Sequence, residues 1–188
     1  MEKPHELAQD VCVYPGALGP GVCELIWKKF DADPRKSPMG NGTGLLEVAR
    51  LPGWEVYQQE ILRSLTAIFE DYATRVLDRK ERLGPVGDDH YVLVKRDVDS
   101  EVDEHWDGAD PSRLISVVFF LNQPEDGGEV FFRRQKLLVR PEQGAAIVYP
   151  ACFTHPHQTR PPKDRDGFYL LTWVRRIEPP TNDPTRSA

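Results

Sequence analysis

Six short segments with a strand-like composition follow one another in the second half of the sequence, and this succession limits the possible folds most strongly. Each segment is rich in Val, Phe, Ile, Leu or Tyr, and turn residues such as Gly, Pro and Asp separate it from the next. Several strands in succession after a helical part favour an α+β chain whose second part is a sandwich or a barrel. The predicted strands are residues 90–96, 114–121, 129–132, 137–140, 145–149 and 168–175.

The first half of the chain has a different periodicity. Residues 14–30 have the pattern of a turn that opens a short helix, and residues 32–44, rich in Pro, Gly and Asp, predict a loop. Between residues 54 and 80, apolar side chains recur every three or four positions, which is typical of an amphipathic helix with one buried face. We therefore predict one domain, 1–188, in which residues 1–85 are mainly helical support for a β core over residues 90–176.

Composition and charge argue against several classes of function. The chain has 188 residues, a net charge of −6 and no run of basic residues longer than two, so we expect no nucleic-acid partner. Its three cysteines are widely spaced and form no CxxC pair, which argues against a disulfide framework. The N-terminus has no apolar signal core, and no segment approaches the length of about 18 apolar residues that a membrane helix needs. These features predict a soluble, cytoplasmic protein without a membrane partner.

Histidines in two places form a candidate metal site. His105 and Asp107 form a His-x-Asp motif, and residues two apart in extended backbone point to the same face. His155 and His157 follow the predicted strand over residues 145–149. Two histidines and one carboxylate on one side of a metal are the ligands of non-haem Fe(II) oxygenases. The motif alone is a weak signal, because roughly one His-x-Asp or His-x-Glu is expected by chance among five histidines in this acidic chain.

The order of the motifs downstream makes the pattern more specific. After the His-x-Asp motif come Leu121-Asn122, Gly127-Gly128-Glu129, the turn Pro141-x-x-Gly144, Tyr149-Pro150, the second pair of histidines and a strand with Trp173 near its end. In this order and spacing, residues 90–175 resemble the prolyl-4-hydroxylase-like branch of the 2-oxoglutarate/Fe(II) dioxygenases. Residues 14–30 resemble it more loosely. The resemblance implies a double-stranded β-helix, or jelly roll, as the catalytic core, supported by the N-terminal helices.

The resemblance also implies metal ligands and cofactors. His105 and Asp107 match the proximal iron ligands of the family. His157 matches the distal ligand, because it keeps the usual interval to Trp173, while His155 lies two residues earlier and stays open as an alternative. The implied cofactors are Fe(II), 2-oxoglutarate as a cosubstrate, and O2.

The cation for the distal carboxylate of 2-oxoglutarate departs from the family pattern. The family places an Arg or Lys about ten residues after the distal histidine, and counting from His157 this position is Gly167. Arg165 lies two residues earlier, and it would fall at the usual interval if His155 were the ligand. Lys95 occupies roughly the place of a 2-oxoglutarate-binding tyrosine in relatives and is a second candidate.

The function that the resemblance implies is hydroxylation of an unactivated C–H bond in an amino-acid, peptide or small-molecule substrate. Asp107 favours hydroxylation, because related halogenases carry a small residue in its place, although desaturation and ring formation stay open. Two alternatives belong to other classes: a cupin-like metalloprotein and a non-catalytic jelly-roll binding module. We expect the loops over residues 32–53 and 97–104 to set the choice of substrate.

Overall fold

The structure, a computed structural model, describes residues 4–39, 43–76, 83–140 and 142–177. These ranges contain two helices and eleven strands. In chain order the elements are β1 (His5–Ala8), β2 (Val11–Tyr14), α1 (Pro20–Ala32), β3 (Ser37–Met39), β4 (Thr43–Glu47), α2 (Glu55–Arg75), β5 (Val86–Arg96), β6 (Arg113–Phe120), β7 (Val130–Phe132), β8 (Leu137–Val139), β9 (Ala146–Pro150), β10 (His157–Thr159) and β11 (Gly167–Arg176).

The strands form two antiparallel sheets. The large sheet has eight strands in the order β1-β2-β9-β6-β11-β5-β4-β3, and the small sheet has the order β10-β7-β8. The six strands predicted from the sequence are present as β5 to β9 and β11. The predicted α+β fold class is therefore confirmed.

The two faces of the large sheet pack against different partners. On one face, Ile68 of α2 belongs to the same buried cluster as Leu93 and Leu170 of the sheet. On the other face, Ile147 of the large sheet belongs to a second cluster with Phe132 of the small sheet. Since successive strand residues point to opposite faces, β5, β6, β9 and β11 each contribute to both clusters. The space between the two sheets is the place where a site can form.

Helix α2 follows the predicted amphipathic pattern. It spans Glu55–Arg75, and its last predicted residues, 77–80, lie outside the described residues. The buried side chains recur at steps of three and four residues because one stripe of the helix faces the sheet. The stripe consists of Ile61, Leu65, Ile68 and Tyr72.

In the described part of the chain, neither helix is long and apolar enough to cross a membrane.

Strands in the first part of the chain were not predicted. β2 pairs with β9, and β4 pairs with β5, so residues 1–85 supply four strands to the large sheet as well as two helices. The predicted loop over residues 32–44 contains β3 and the start of β4. These segments are only three to five residues long and owe their conformation to pairing with distant strands, which local sequence does not encode.

Candidate metal centre

An isolated antiparallel bridge places two of the predicted ligands side by side. The backbone N–H of His105 donates to the carbonyl of His157 at 3.0 Å, and the N–H of His157 donates to the carbonyl of His105 at 2.8 Å. Residues directly opposite each other in such a pair carry their side chains on the same face. The two imidazole rings accordingly lie with their centroids 4.7 Å apart.

The two imidazoles have the same orientation. In each ring, Nδ1 faces a backbone carbonyl and Nε2 faces Asp107. His105 Nδ1 lies 2.9 Å from the carbonyl oxygen of Asp103, and His157 Nδ1 lies 3.1 Å from that of His155. A nitrogen that donates to a carbonyl carries the proton, so Nε2 of each ring keeps a lone pair for a metal. Burial lowers the pKa of His157, which favours the neutral form that metal binding requires.

Asp107 completes the cluster. Its Oδ1 lies 3.8 Å from His105 Nε2, and its Oδ2 lies 3.9 Å from His157 Nε2. One donor atom from each of the three residues lies within 4.8 Å of the other two. Two imidazoles and one carboxylate on one side of an ion are the donor set of a non-haem Fe(II) site, so the residues present fit the group that the sequence predicted.

Two hydroxyl groups orient the carboxylate of Asp107. Ser116 Oγ donates to Oδ2 at 2.6 Å, and Tyr149 Oη donates to the same oxygen at 3.1 Å. Tyr149 Oη also lies 3.2 Å from His157 Nε2, and burial raises the pKa of this tyrosine well above its ordinary value. With Oδ2 bound to two donors, Oδ1 is the oxygen left for a metal. The sequence signal for Ser116 was a polar residue in an otherwise apolar strand.

His155, the alternative distal ligand, has both ring nitrogens engaged elsewhere. Nδ1 lies 2.9 Å from Thr154 Oγ1, and Nε2 lies 3.2 Å from the carbonyl oxygen of Gln9. The side chain is buried, and it does not belong to the cluster around Asp107. This arrangement favours His157 as the distal ligand.

We predict that His157→Ala weakens Fe(II) binding by more than about 100-fold, because the loss of a ligand costs more than the loss of an outer partner. His155→Ala should leave the affinity nearly unchanged, since the backbone carbonyl that accepts from His157 Nδ1 remains. Anaerobic titration with Fe(II) or Mn(II) measures both, and circular dichroism confirms that each variant is folded. Loss of metal in His155→Ala with retention in His157→Ala would reverse the assignment.

The lining of a narrow cavity between the sheets includes the two histidines of the cluster and one arginine. Apolar side chains from β5, β6, β7 and β11 form much of its wall. Arg96 is the one Lys or Arg among the lining residues, and no motif in the sequence marks it. The lining residues are Val94, Arg96, His105, Val118, Val130, Tyr149, His157, Thr159, Tyr169 and Leu171.

The two cations predicted from the sequence to bind 2-oxoglutarate lie elsewhere. Arg165 is exposed and pairs with Glu125 at 2.9 Å and with Asp164 at 2.7 Å, beside an open groove next to α1. Lys95 lies on the helical side of the sheet, because neighbouring residues of a strand point to opposite faces. Its ammonium group pairs with Asp166 at 2.9 Å and with two further aspartates. The structure therefore brings neither side chain to the metal cluster.

Comparison with known proteins gives a family match for the second part of the chain. The sequence model of the 2OG-Fe(II) oxygenase superfamily matches residues 91–175, which include all three predicted ligands. A comparison with curated protein sequences gives no significant match.

Solved structures show the same fold at low sequence identity. A Pseudomonas putida prolyl-4-hydroxylase has a TM-score of 0.70 and 18% identity, over 90% of this chain and 94% of that one. The viral collagen prolyl hydroxylase of Paramecium bursaria Chlorella virus-1, in complex with 2-oxoglutarate, has a TM-score of 0.69 and 15% identity, over 90% and 97%. A Trichoplax adhaerens prolyl hydroxylase, in complex with a hypoxia inducible factor peptide, has a TM-score of 0.68 and 13% identity, over 89% and 84%.

These matches confirm the predicted jelly-roll core, and the cofactors that the family implies are Fe(II), 2-oxoglutarate and O2. Residues 91–175 therefore belong to the 2OG-Fe(II) oxygenase superfamily, and the chain has the fold of its prolyl-4-hydroxylase-like members.

Proposed function

We propose that this protein is an Fe(II)- and 2-oxoglutarate-dependent hydroxylase whose iron is held by His105, Asp107 and His157. The observation that carries the proposal is this cluster of two imidazoles and one carboxylate, whose histidines line a narrow, mostly apolar cavity. When bound, iron together with 2-oxoglutarate and O2 supplies the oxidising power that breaks an unactivated C–H bond.

The protein's own residues contribute geometry and the exclusion of water. Ser116 and Tyr149 hold one oxygen of Asp107, which keeps the carboxylate in a single orientation. Val118 and Leu171 are part of the apolar wall beside the histidines. A wall of this kind keeps bulk water from the reacting groups and strengthens the electrostatic interactions inside the cavity.

An aromatic and cationic platform lies on the same face of the large sheet. Trp173 of β11 is the register partner of Ser116, so both side chains point toward the inner face. The guanidinium of Arg113 lies 3.7 Å from the centroid of the Trp173 ring, and its Nε donates to Asp89 at 3.1 Å. A stacked Trp–Arg pair offers an apolar surface together with N–H donors, which suits a backbone carbonyl beside an apolar ring.

We propose a peptide as the substrate class, with an amino-acid side chain or a proline ring placed at the iron. The platform beside the cluster supports this choice, and so does the nature of the structural neighbours, two of which are a collagen prolyl hydroxylase and a prolyl hydroxylase bound to a peptide. Hydroxylation is the reaction that the carboxylate ligand favours.

The test of the function is the production of succinate from 2-oxoglutarate with Fe(II) and O2. We expect succinate from the wild-type protein, and we expect its rate to rise with peptides that contain proline. Mass spectrometry should find an added oxygen in one such peptide. A protein that binds Fe(II) yet forms no succinate with any peptide would instead support the non-catalytic binding module.

We predict that Arg113→Lys raises the KM for the peptide by about 2- to 30-fold, because it retains the charge and loses the planar stacking on Trp173. The KM for 2-oxoglutarate should not change. Arg175→Lys is the matched control, since Arg175 also lies near Asp89, at 3.8 Å, on an exposed side chain. Equal effects of the two variants on the peptide KM would remove Arg113 from the substrate site.

A further inference from the structure

Arg96 lies on the strand next to β11, directly beside the position where the family pattern places a cation. Gly167, the first residue of β11, is the register partner of Arg96, the last residue of β5. On its other side, Arg96 is the register partner of Thr43 in β4. Residues opposite each other on neighbouring strands carry their side chains on the same face, so Arg96 enters the region that a side chain at position 167 would enter.

The first residues of β11 leave no room for a side chain at position 167. A Cβ atom on Gly167 would lie 2.7 Å from Tyr169 Oη and 2.9 Å from the ring of the same tyrosine. Tyr169 is buried, and its hydroxyl donates to the carbonyl of Gly128 at 3.3 Å, which holds the ring over the glycine. Tyr169 therefore excludes a cationic side chain at position 167, and it lines the cavity together with Arg96.

Arg96 has a hydrogen bond but no counter-ion in the described parts of the chain. Its Nη1 donates to Thr43 Oγ1 at 2.6 Å, which orients the guanidinium, and no ion pair joins it to a described acidic side chain. Burial lowers the pKa of this arginine. A desolvated cation without a partner is costly, and an anion that enters the cavity would remove much of that cost. Lys95, the adjacent residue on the opposite face, already has three carboxylate partners.

We infer that Arg96 binds the distal carboxylate of 2-oxoglutarate, so that the cation of this site lies on β5 instead of β11. The inference rests on the proposed function, because it places the α-keto acid end of the cosubstrate at the metal cluster. One cavity connects the two ends, since His105 and His157 line it together with Arg96. A guanidinium can bind a carboxylate through two parallel N–H donors, and Thr43 leaves donors of Arg96 free for this.

The test compares two ligands that differ only at the distal end. 2-Oxopentanoate has the chain of 2-oxoglutarate with a methyl group in place of the distal carboxylate. Each ligand is titrated into the anaerobic Fe(II) protein, and the metal-to-ligand charge-transfer band reports binding without turnover. We expect Arg96→Ala to weaken 2-oxoglutarate by about 30- to 150-fold and to leave 2-oxopentanoate nearly unchanged. Arg96→Lys should recover part of the loss.

Lys95→Ala and Arg165→Ala are the matched controls, since each removes one positive charge near the same strands. Both should bind 2-oxoglutarate like the wild type. If Arg96→Ala does not fold, as judged by circular dichroism, Arg96→Gln carries the same expectation.

The inference is overturned if the Arg96 variant still prefers 2-oxoglutarate as strongly as the wild type, or if a control loses this preference instead. Those results would leave the proposed function intact. A wild-type protein that binds Fe(II) but gives no band with either ligand would overturn the proposed function as well.

Discussion

Asp107→Ala is expected to weaken the affinity for Fe(II) by more than about 100-fold and to abolish turnover, because it removes the only carboxylate of the cluster. The variant should remain folded, since the side chain contributes no apolar packing. Two hydroxyl groups, of Ser116 and Tyr149, lose their acceptor, which costs stability but leaves the sheets in place. Metal titration and succinate release measure the two effects separately.

Asp103→Ala is the control for this prediction, because it removes one negative charge from an exposed position of the same loop. Its backbone carbonyl, which lies near His105 Nδ1, stays in place. Asp107→Asn preserves the shape of the side chain and should also lose the metal. Wild-type iron affinity in both Asp107 variants would show that the cluster is not the iron site.

Gly127→Ala is expected to destabilise the fold by about 2–5 kcal/mol, through left-handed backbone strain and overpacking together. Gly127 has a φ of +77°, and a Cβ atom there would lie 2.0 Å from the carbonyl oxygen of Pro161. The close approach also supports the metal site, because Gly128 and Glu129 pair with Arg160 just beyond β10, the strand that begins with His157. Urea unfolding followed by circular dichroism gives the free energy of unfolding.

Gly16→Ala separates the two contributions to this loss. Gly16 has a φ of +61°, and a Cβ atom there would meet nothing within 4 Å. It should therefore cost only the left-handed strain, about 1–2 kcal/mol. If Gly127→Ala loses no more free energy of unfolding than Gly16→Ala, the chain around Gly127 and Pro161 adjusts to the added Cβ at little cost. The close contact between these two residues would then contribute little to stability.

The parts of the fold that the sequence predicted are those with a strong local signal. The strand predicted over residues 114–121 is β6, Arg113–Phe120, whose run of apolar residues is buried on both faces. β10, His157–Thr159, was not predicted because three polar residues carry no pattern, and its conformation depends on pairing with β7. β3 has the same origin, since all three of its residues are exposed and, among the described strands, β4 is its one partner.

The candidate site divides in a similar way. The spacing of His105 and Asp107 is enough to predict that their side chains share one face. The bridge between His105 and His157 joins residues 52 positions apart, and only the order of the motifs along the chain predicts that these two residues meet. For the cation, the interval after the distal histidine predicts Arg165, and the place of a tyrosine in relatives predicts Lys95. The alternation of β5 distinguishes Lys95 from Arg96, because Val94 and Arg96 share the face that lines the cavity.

Anaerobic crystals grown with Fe(II) and measured at the iron absorption edge test the central claim most directly, because anomalous scattering locates iron without reference to activity. We expect one strong peak per chain, within bonding distance of His105 Nε2, Asp107 Oδ1 and His157 Nε2. A peak bound to other side chains, such as His155, or no peak in iron-loaded crystals, would contradict the assignment of this cluster as the iron site.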